Sequence, residues 1–480
     1  MDSPVKVLTA DQKRAAQELS QKTSAPSARV ALSEVLAALS YALDLTEGQP
    51  IGHTIRTCLV GMRIAEDMGL SEDQRSALYY ALLLKDAGCS SNAAKMSALF
   101  GADDREVKPF MKFVDWHKRL PLAVQTLLAV GRGRTIAERL GFFTGIARTA
   151  NVTRDLIAIR CERGAEIVRR LGFPEASAEA VRNLDEHWNG MGHPDGLRGE
   201  EIPLLSRIAN ISQTIEAFFR TGGESAAREV VRSRKGTWFD PQLVKIVQGW
   251  KGDREWWVKL TGPDAEALVM KEEPGTEQRV VDEAGLDMIA MAFSEIIDAK
   301  SPYTYRHSAN VAAFALSMAK QYGMGPVAQR RIHRAGLLHD IGKLGISNTI
   351  LDKPGRLDHA ERQAVELHPV YTSDILSHVP AFSDFAWTAA IHHEKLDGSG
   401  YPWKLTGGQL DDSARILCVA DVCEALTADR PYRAGMKPDA AFALMRREFA
   451  GKLCSTAVDS LESCFKAEPD WLALRPEEPA

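Results

Sequence analysis

The sequence lacks the features of a membrane-spanning, disulfide-stabilised or nucleic-acid-binding protein. Its most apolar early stretch, VALSEVLAALSYALDL, is too short to cross a bilayer and carries Glu34 and Asp44. The seven cysteines form no C-x-x-C pair, and the chain shows no basic-then-apolar leader, so we expect reduced thiols. The net charge of −5 is too small to indicate a surface for DNA, RNA or lipid. We therefore expect a cytoplasmic protein that binds neither membranes nor nucleic-acid polymers.

Valine-rich alternating runs, which are typical of strands, are also scarce. Apolar residues instead recur at helical spacing along most of the chain, and glycine and proline fall mainly between these segments. This pattern predicts an all-α fold. Residues 1–28 are polar and are predicted to form a flexible leader, whereas the Pro, Gly and charge content of 259–279 predicts a linker.

An internal repeat relates the two halves of the chain. The segment 285–324 aligns without a gap over 31–70, and this register places His307 on His53. A second block, 398–421, aligns over 190–213, so the first copy carries an insert within 89–160. We predict two tandem helical-bundle domains, which we call the first copy (29–258) and the second copy (280–470).

The second copy concentrates residues that can bind metal ions. Asp340 and Asp421 lie in apolar helical stretches, where a buried carboxylate is costly without a cation or another partner. A lone His–Asp pair is more often a hydrogen-bonded core pair, but several such residues together favour a metal site. The candidate ligands are five histidines and two aspartates: His307, His339, Asp340, His368, His392, His393 and Asp421.

Mixed imidazole and carboxylate ligands suit Fe or Mn, with Zn, Co or Ni as alternatives. Seven ligands exceed the three or four that one catalytic ion needs, so Asp340 is a candidate bridge between two divalent ions. Two ions about 3.5–4 Å apart hold a hydroxide and neutralise charge in a displacement at phosphorus. The ligand set therefore predicts hydrolysis of a phosphoester or phosphodiester.

Four motifs of the second copy together resemble the HD-GYP domain, a branch of the HD superfamily of metal-dependent phosphohydrolases. They are HDIGK (339–343), HP (368–369), HHEKLDGSGYP (392–402) and VADVCEALTADRPYR (419–433). The resemblance implies an all-helical domain with two or three metal ions. It also implies hydrolysis of cyclic di-GMP to linear pGpG, to GMP or to both.

The resemblance assigns roles residue by residue. The seven candidate ligands match the family's metal ligands, and Lys343 matches a lysine near the scissile phosphate, which stabilises developing charge or protonates the leaving oxygen. Arg430 and Arg433 match positions that face substrate phosphates or guanines. The signature loop, Gly400, Tyr401 and Pro402, shapes the pocket wall or contacts substrate.

Two departures from the family bear on the number of ions. Ser301 and Tyr303 stand where family members can carry acidic residues that assist metal binding, so two ions are expected rather than three.

The first copy has lost most of these ligands. Lys85 replaces His339, Cys89 replaces Lys343 and Gln213 replaces Asp421. The alignment also places Cys161 on His368, and Leu184 and Asp185 on the paired histidines. A positive charge at a metal position argues against an ion, so we predict a non-catalytic, regulatory domain. An alternative is a replacement site built from His187, His193 and Asp195.

The substrate class is left open at this point. The leading prediction is a cyclic di-GMP phosphodiesterase. The alternatives are a hydrolase of another nucleotide such as cyclic GMP-AMP, and a signalling scaffold that binds cyclic dinucleotides without turnover. A protein partner of the first copy and a homodimer are further predictions.

Overall fold

The computed structural model describes residues 30–115, 124, 126–131, 135–148, 152–275, 279–429 and 433–468. The predicted leader and parts of the predicted insert lie outside these residues. The described chain is almost entirely helical, which confirms the predicted all-α fold. Its one sheet within those ranges is the antiparallel pair β1 (Val30–Ala31) and β2 (Val280–Val281), in which Val30 lies opposite Val281.

The first copy is a helical bundle, and some of its helices begin at a side-chain cap. Ser71, for example, forms a capping box with Gln74 at the start of the helix Glu72–Leu84. The helices are α1 (Leu32–Thr46), α2 (His53–Met68), α3 (Glu72–Leu84), α4 (Ala93–Phe100), α5 (Asp104–Phe113), α6 (Ile136–Arg148), α7 (Val152–Arg170), α8 (Glu175–Arg182), α9 (Leu204–Ser233), α10 (Pro241–Gly249), α11 (Arg254–Lys259) and α12 (Ala265–Lys271).

The second copy repeats this architecture. Asp411 caps the helix Asp412–Thr427, where its side chain accepts a hydrogen bond from the Ala414 N–H at 2.8 Å. The helices are α13 (Glu283–Asp298), α14 (His307–Gln321), α15 (Pro326–Leu338), α16 (Asn348–Leu351), α17 (His359–Val365), α18 (His368–Ser377), α19 (Ser383–Ala390), α20 (Asp412–Thr427), α21 (Pro438–Glu448) and α22 (Ser455–Ala467). Short 3-10 turns cover Pro302–Thr304, Ile341–Gly345, Pro380–Phe382 and Gly407–Gln409, as Gly199–Glu201 does in the first copy.

Equivalent local contacts recur in both copies at the predicted register. Asp298 accepts a hydrogen bond from the Ser308 hydroxyl at 2.7 Å, and Asp44 accepts one from the Thr54 hydroxyl at 2.8 Å. The proline peptide bond is cis at Tyr401–Pro402 and also at His193–Pro194. The tandem arrangement predicted from the sequence is therefore present in the fold.

Helix α1 joins the two copies. Its residues Val35, Leu39 and Leu43 belong to the core of the second copy, whereas Leu36 and Ala37 face the core of the first. Side chains on two faces of one helix are thus buried against different domains, which fixes the copies relative to each other.

The segment predicted as a linker is packed against the first copy. Helix α12 lies within it, and Val269 is fully buried in the first copy's core.

No helix in the described part of the chain has both the length and the apolar composition needed to cross a bilayer.

Candidate metal centre

The candidate ligands come from the ends of several helices that converge on one cavity. His307 is the first residue of α14, and Asp298 fixes that helix start by accepting the Ser308 N–H. His339 and Asp340 follow α15 directly, where the chain passes into a 3-10 turn. Gly342 in this turn lies so close to α18 that an added Cβ would stand 1.9 Å from the His368 carbonyl oxygen. Only glycine permits this approach, which brings Asp340 beside His368.

Backbone carbonyls orient three of the histidines. The Nδ1 atoms of His339, His368 and His392 lie 2.7–2.8 Å from the carbonyl oxygens of Gly336, Val365 and Ala389. Because a carbonyl only accepts, each Nδ1 carries the proton and donates it. Each Nε2 is therefore unprotonated in the neutral ring and presents a lone pair to the cavity, as a metal ligand must.

The donor atoms form two groups that share Asp340. Asp340 Oδ2 lies 3.3 Å from Nε2 of His307 and 3.3 Å from Nε2 of His339. Asp340 Oδ1 lies 3.3 Å from Nε2 of His368 and 3.7 Å from Nε2 of His392. One carboxylate therefore presents one oxygen to each group, which is the arrangement expected of a bridging ligand.

Asp421 and His393 complete the two groups. Asp421 Oδ1 lies 3.5 Å from His307 Nε2, and Asp421 Oδ2 lies 3.5 Å from His393 Nδ1. The ligand atoms of His307, His339 and Asp421 lie within 4.8 Å of one another, and so do those of His368, His392 and His393. The structure thus brings all seven predicted ligands to one place.

Glu424 is a functional residue that the sequence reasoning missed. Its Oε2 lies 2.5 Å from His307 Nδ1, and its Oε1 accepts from Asn310 at 3.2 Å. This carboxylate fixes the ring of His307 and increases its basicity. The signal was present, since Glu424 follows Asp421 by three residues on one helix and Glu216 holds the equivalent place in the first copy.

The ionisation of these groups follows from burial and their neighbours. Burial alone would raise the pKa of Asp340, but His339 and Lys343 hold it well below its usual range. Burial lowers the pKa values of His392 and His393, and the neighbouring imidazoles lower them further. Burial would also lower the pKa of His307, but Glu424 and Asp340 raise it to about 10, so this ring must give up its proton when it binds a metal ion.

This donor set fits a pair of divalent cations. Asp340 is 1% exposed, and its Oδ1 has no hydrogen-bond partner in the described structure. An ionised, buried carboxylate oxygen of this kind is expensive without a cation. The described residues therefore form a candidate dinuclear site.

Of the predicted substrate residues that the structure describes, two line this cavity and the signature loop packs behind the histidines. Lys343 and Arg433 line it, and Lys343 Nζ lies 2.5 Å from Asp340 Oδ2. Tyr401 stacks at a tilt against His393, with ring centroids 4.6 Å apart. A Cβ on Gly400 would stand 2.4 Å from the Cα of Glu394, so the signature loop packs tightly behind the histidines. Arg430 lies outside the described residues.

Ser301 and Tyr303 border this cavity as well. The Ser301 hydroxyl donates a hydrogen bond to the Asp352 carboxylate at 2.6 Å, which fixes its orientation.

Basic side chains occupy the equivalent places in the first copy. Lys85 forms a buried ion pair with Asp86, and Arg160 forms one with Asp185. Glu47, Asp86 and Cys89 also have ligand atoms within 4.8 Å of one another. Lys85 and Lys112 neutralise the two carboxylates of that group, which removes the need for an ion.

The alternative replacement site does not assemble among the described residues. Asp195 pairs with Arg182, whereas the ring of His187 stacks on Trp238 at 3.8 Å.

One position in the sequence alignment was wrong. Gly88, the counterpart of Gly342, packs against the Arg160 carbonyl as Gly342 packs against that of His368. The counterpart of His368 is therefore Arg160, not Cys161. The sequence match ran along a helix without a fixed motif, so a shift of one residue left the apolar pattern almost unchanged.

Comparison with known proteins agrees with this geometry. A family model described as HD domain matches residues 147–243 and 291–452. A 3'3'-cGAMP-specific phosphodiesterase 3 of Vibrio cholerae serotype O1 is 42% identical over 93% of this chain and 96% of its own length. A cyclic di-GMP phosphodiesterase of Pseudomonas aeruginosa is 40% identical over 28% of this chain and 32% of its own.

A solved structure of a cyclic GMP-AMP specific phosphodiesterase from V. cholerae matches with a TM-score of 0.62. The two are 36% identical, and the match covers 94% of this chain and 99% of that one. The family match falls on residues of both copies. The chain therefore belongs to the HD domain family, as an HD-GYP protein with a degenerate first copy.

Proposed function

We propose that this protein is a metal-dependent phosphodiesterase that hydrolyses a cyclic dinucleotide, with 3'3'-cyclic GMP-AMP as its preferred substrate. The observation that carries the chemistry is the pair of ligand groups sharing Asp340. The observation that favours this substrate is the likeness to the V. cholerae 3'3'-cGAMP phosphodiesterase over nearly both whole chains. The similarity to the P. aeruginosa cyclic di-GMP phosphodiesterase spans only 28% of this chain. Cyclic di-GMP, the substrate that we predicted first from the sequence, therefore becomes the second candidate.

The seven ligands would hold two ions, Asp340 bridging them. Iron and manganese suit this mixture of imidazole and carboxylate, with Zn, Co or Ni as alternatives. When bound, such a pair supplies Lewis acidity at a phosphodiester and lowers the pKa of water. Glu424 keeps His307 in the orientation that directs Nε2 into the cavity.

Protein side chains around the ions would handle the substrate. The Lys343 side chain is 20% exposed and lines the cavity, where its ammonium would stabilise developing negative charge or protonate the leaving oxygen. Arg433 lines the cavity, and its guanidinium is held in place by hydrogen bonds to the carbonyls of Ala425 and Leu426 at 2.6 and 2.7 Å. We assign it to a phosphate or a guanine.

The cavity has room for a dinucleotide. Its volume is about 410 Å³, and Lys300, Tyr303 and Phe449 contribute to its walls. The products would be the linear dinucleotide and, after a second cleavage, mononucleotides.

A panel of substrates tests this proposal. Metal-loaded protein is incubated separately with 3'3'-cyclic GMP-AMP, cyclic di-GMP and cyclic di-AMP, and products are separated by chromatography. We expect the largest kcat/KM with the mixed dinucleotide. Faster cleavage of cyclic di-GMP would restore the second candidate, and tight binding without any cleavage would favour a signalling scaffold. The regulatory role of the first copy, its protein partner, a homodimer and a cytoplasmic location stay predictions.

A further inference from the structure

The first copy retains a cavity at the position that corresponds to the catalytic cavity. Arg160, Asp185 and Gln213 line it, and they occupy the places of His368, His393 and Asp421. It is smaller than the catalytic cavity, with a volume of about 90 Å³ against about 410 Å³ in the second copy. A smaller ligand than a cyclic dinucleotide is therefore the appropriate match.

One end of this cavity is cationic. Lys108, Lys112 and Arg160 line it, against the carboxylates of Glu47 and Asp185. Burial would raise the pKa of Glu47, but Lys112 and Lys108 hold it well below its usual range. Lys112 Nζ lies 3.1 Å from Glu47 Oε2 but makes no hydrogen bond of good geometry among the described residues. Lys108 is held by Asp104 and by two backbone carbonyls, so Arg160 and Lys112, whose Nζ has an unused donor, are the groups able to contact an anion.

The opposite wall is largely apolar. Met96, Phe100, Leu156 and Ile157 contribute to it. Asn92 stands beside them, 2% exposed, and its Nδ2 donates to the Leu156 carbonyl at 3.1 Å. Its Oδ1 has no hydrogen-bond partner in the described structure. A flat base with an N–H on its edge would cover the apolar wall and satisfy this oxygen, whose burial unpaired is costly.

We propose that this cavity binds a purine nucleoside monophosphate, with the phosphate at Arg160 and Lys112 and the base against Met96 and Phe100. Arg160, which stands in the place of a metal-ligating histidine, would bind the phosphate, because a guanidinium matches phosphate oxygens in a bidentate fashion. The ligand is bound and not hydrolysed, since Lys85 and Arg160 occupy the positions of metal-ligating histidines. This site does not depend on which cyclic dinucleotide the second copy cleaves.

Titration of the metal-stripped full-length protein with AMP and GMP, followed by calorimetry, tests the proposal. We expect one site per chain, with weaker binding of adenosine and of inorganic phosphate, which each satisfy one end only. Arg160→Met should weaken the nucleotide affinity by about tenfold or more. Arg169→Met is the matched control, because Arg169 lies on the same helix but pairs with Glu175 at the surface.

A second variant protects the test against misfolding, since Arg160→Met leaves Asp185 without its partner. Met96→Trp fills the apolar end and leaves the ion pairs in place, so it should abolish binding while circular dichroism stays unchanged. Lys343→Met, in the catalytic cavity, should leave binding intact. Binding that survives Met96→Trp but is lost in Lys343→Met would place the nucleotide in the second copy and overturn the proposal. Absence of AMP and GMP binding at millimolar concentration would overturn it as well.

Discussion

Asp104 of the first copy holds Lys300 of the second through a contact of 3.0 Å between Oδ2 and Nζ. Both side chains are 1% exposed or less. Lys300 borders the catalytic cavity, and Asp104 Oδ2 also lies 3.3 Å from Lys108, which borders the cavity of the first copy. A continuous set of buried charges therefore links the two cavities.

Asp104→Asn should weaken this link. We expect a loss of about 1–3 kcal/mol in the free energy of unfolding and a fall in kcat/KM, because Lys300 loses the charge that compensates its burial. Chemical denaturation and steady-state kinetics measure the two effects. Asp103→Asn is the matched control, since Asp103 is part-exposed and asparagine caps a helix as well as aspartate does. An equal effect of both substitutions would show that the losses do not arise from the contact between Asp104 and Lys300.

Glu424→Gln should reduce metal affinity by about 10- to 100-fold, because the amide no longer fixes the ring of His307 as a carboxylate does. Competition with a chelator measures the affinity. Glu216→Gln alters the same contact with His53 in the first copy and should leave metal affinity unchanged. A loss of equal size in both variants would contradict the assignment of the ions to the second copy.

The stability of the first copy should depend on pH through Asp44. Burial raises the pKa of this carboxyl from 3.8 to about 7. Because the pKa is higher in the folded than in the unfolded protein, protonation of Asp44 stabilises the folded state. This contribution to the free energy of unfolding is complete below about pH 4 and is lost as the pH rises to about 7.

Asp44→Asn removes that titration. Between pH 5 and 7 the wild type should therefore lose up to about 2.7 kcal/mol of unfolding free energy relative to the variant. Urea denaturation at several pH values measures it, with Asp73→Asn, an exposed position in the first turn of α3, as the control. A difference between wild type and Asp44→Asn that stays constant with pH would show that Asp44 is ionised throughout.

The sequence predicted the parts of this protein that depend on local pattern. The helical periodicity gave the all-α fold, and the repeat register placed His53 on His307 and Asp86 on Asp340, with matching contacts at the first pair. The motifs identified seven ligands that the fold brings together, because each lies at a helix end or on a helix face directed at one cavity.

What the sequence could not predict depends on long-range packing. The contact between Asp104 and Lys300 joins residues 196 apart, and no periodicity indicates it. The place of Arg160 required the close approach of Gly88, which is visible only in three dimensions. The predicted linker contains a buried helix, because its Pro and Gly content gives no sign that Val269 reaches a core.

The metal content of the purified chain and its variants tests the central claim most directly. We expect two divalent ions per chain, fewer than one in Asp340→Ala because the shared ligand is lost, and two in Lys85→Met/Asp86→Asn, which keeps the first copy's buried pair uncharged. Hydrolysis of the cyclic dinucleotide should follow the metal content. Retention of two ions by Asp340→Ala, or their loss from the first-copy variant, would contradict this account.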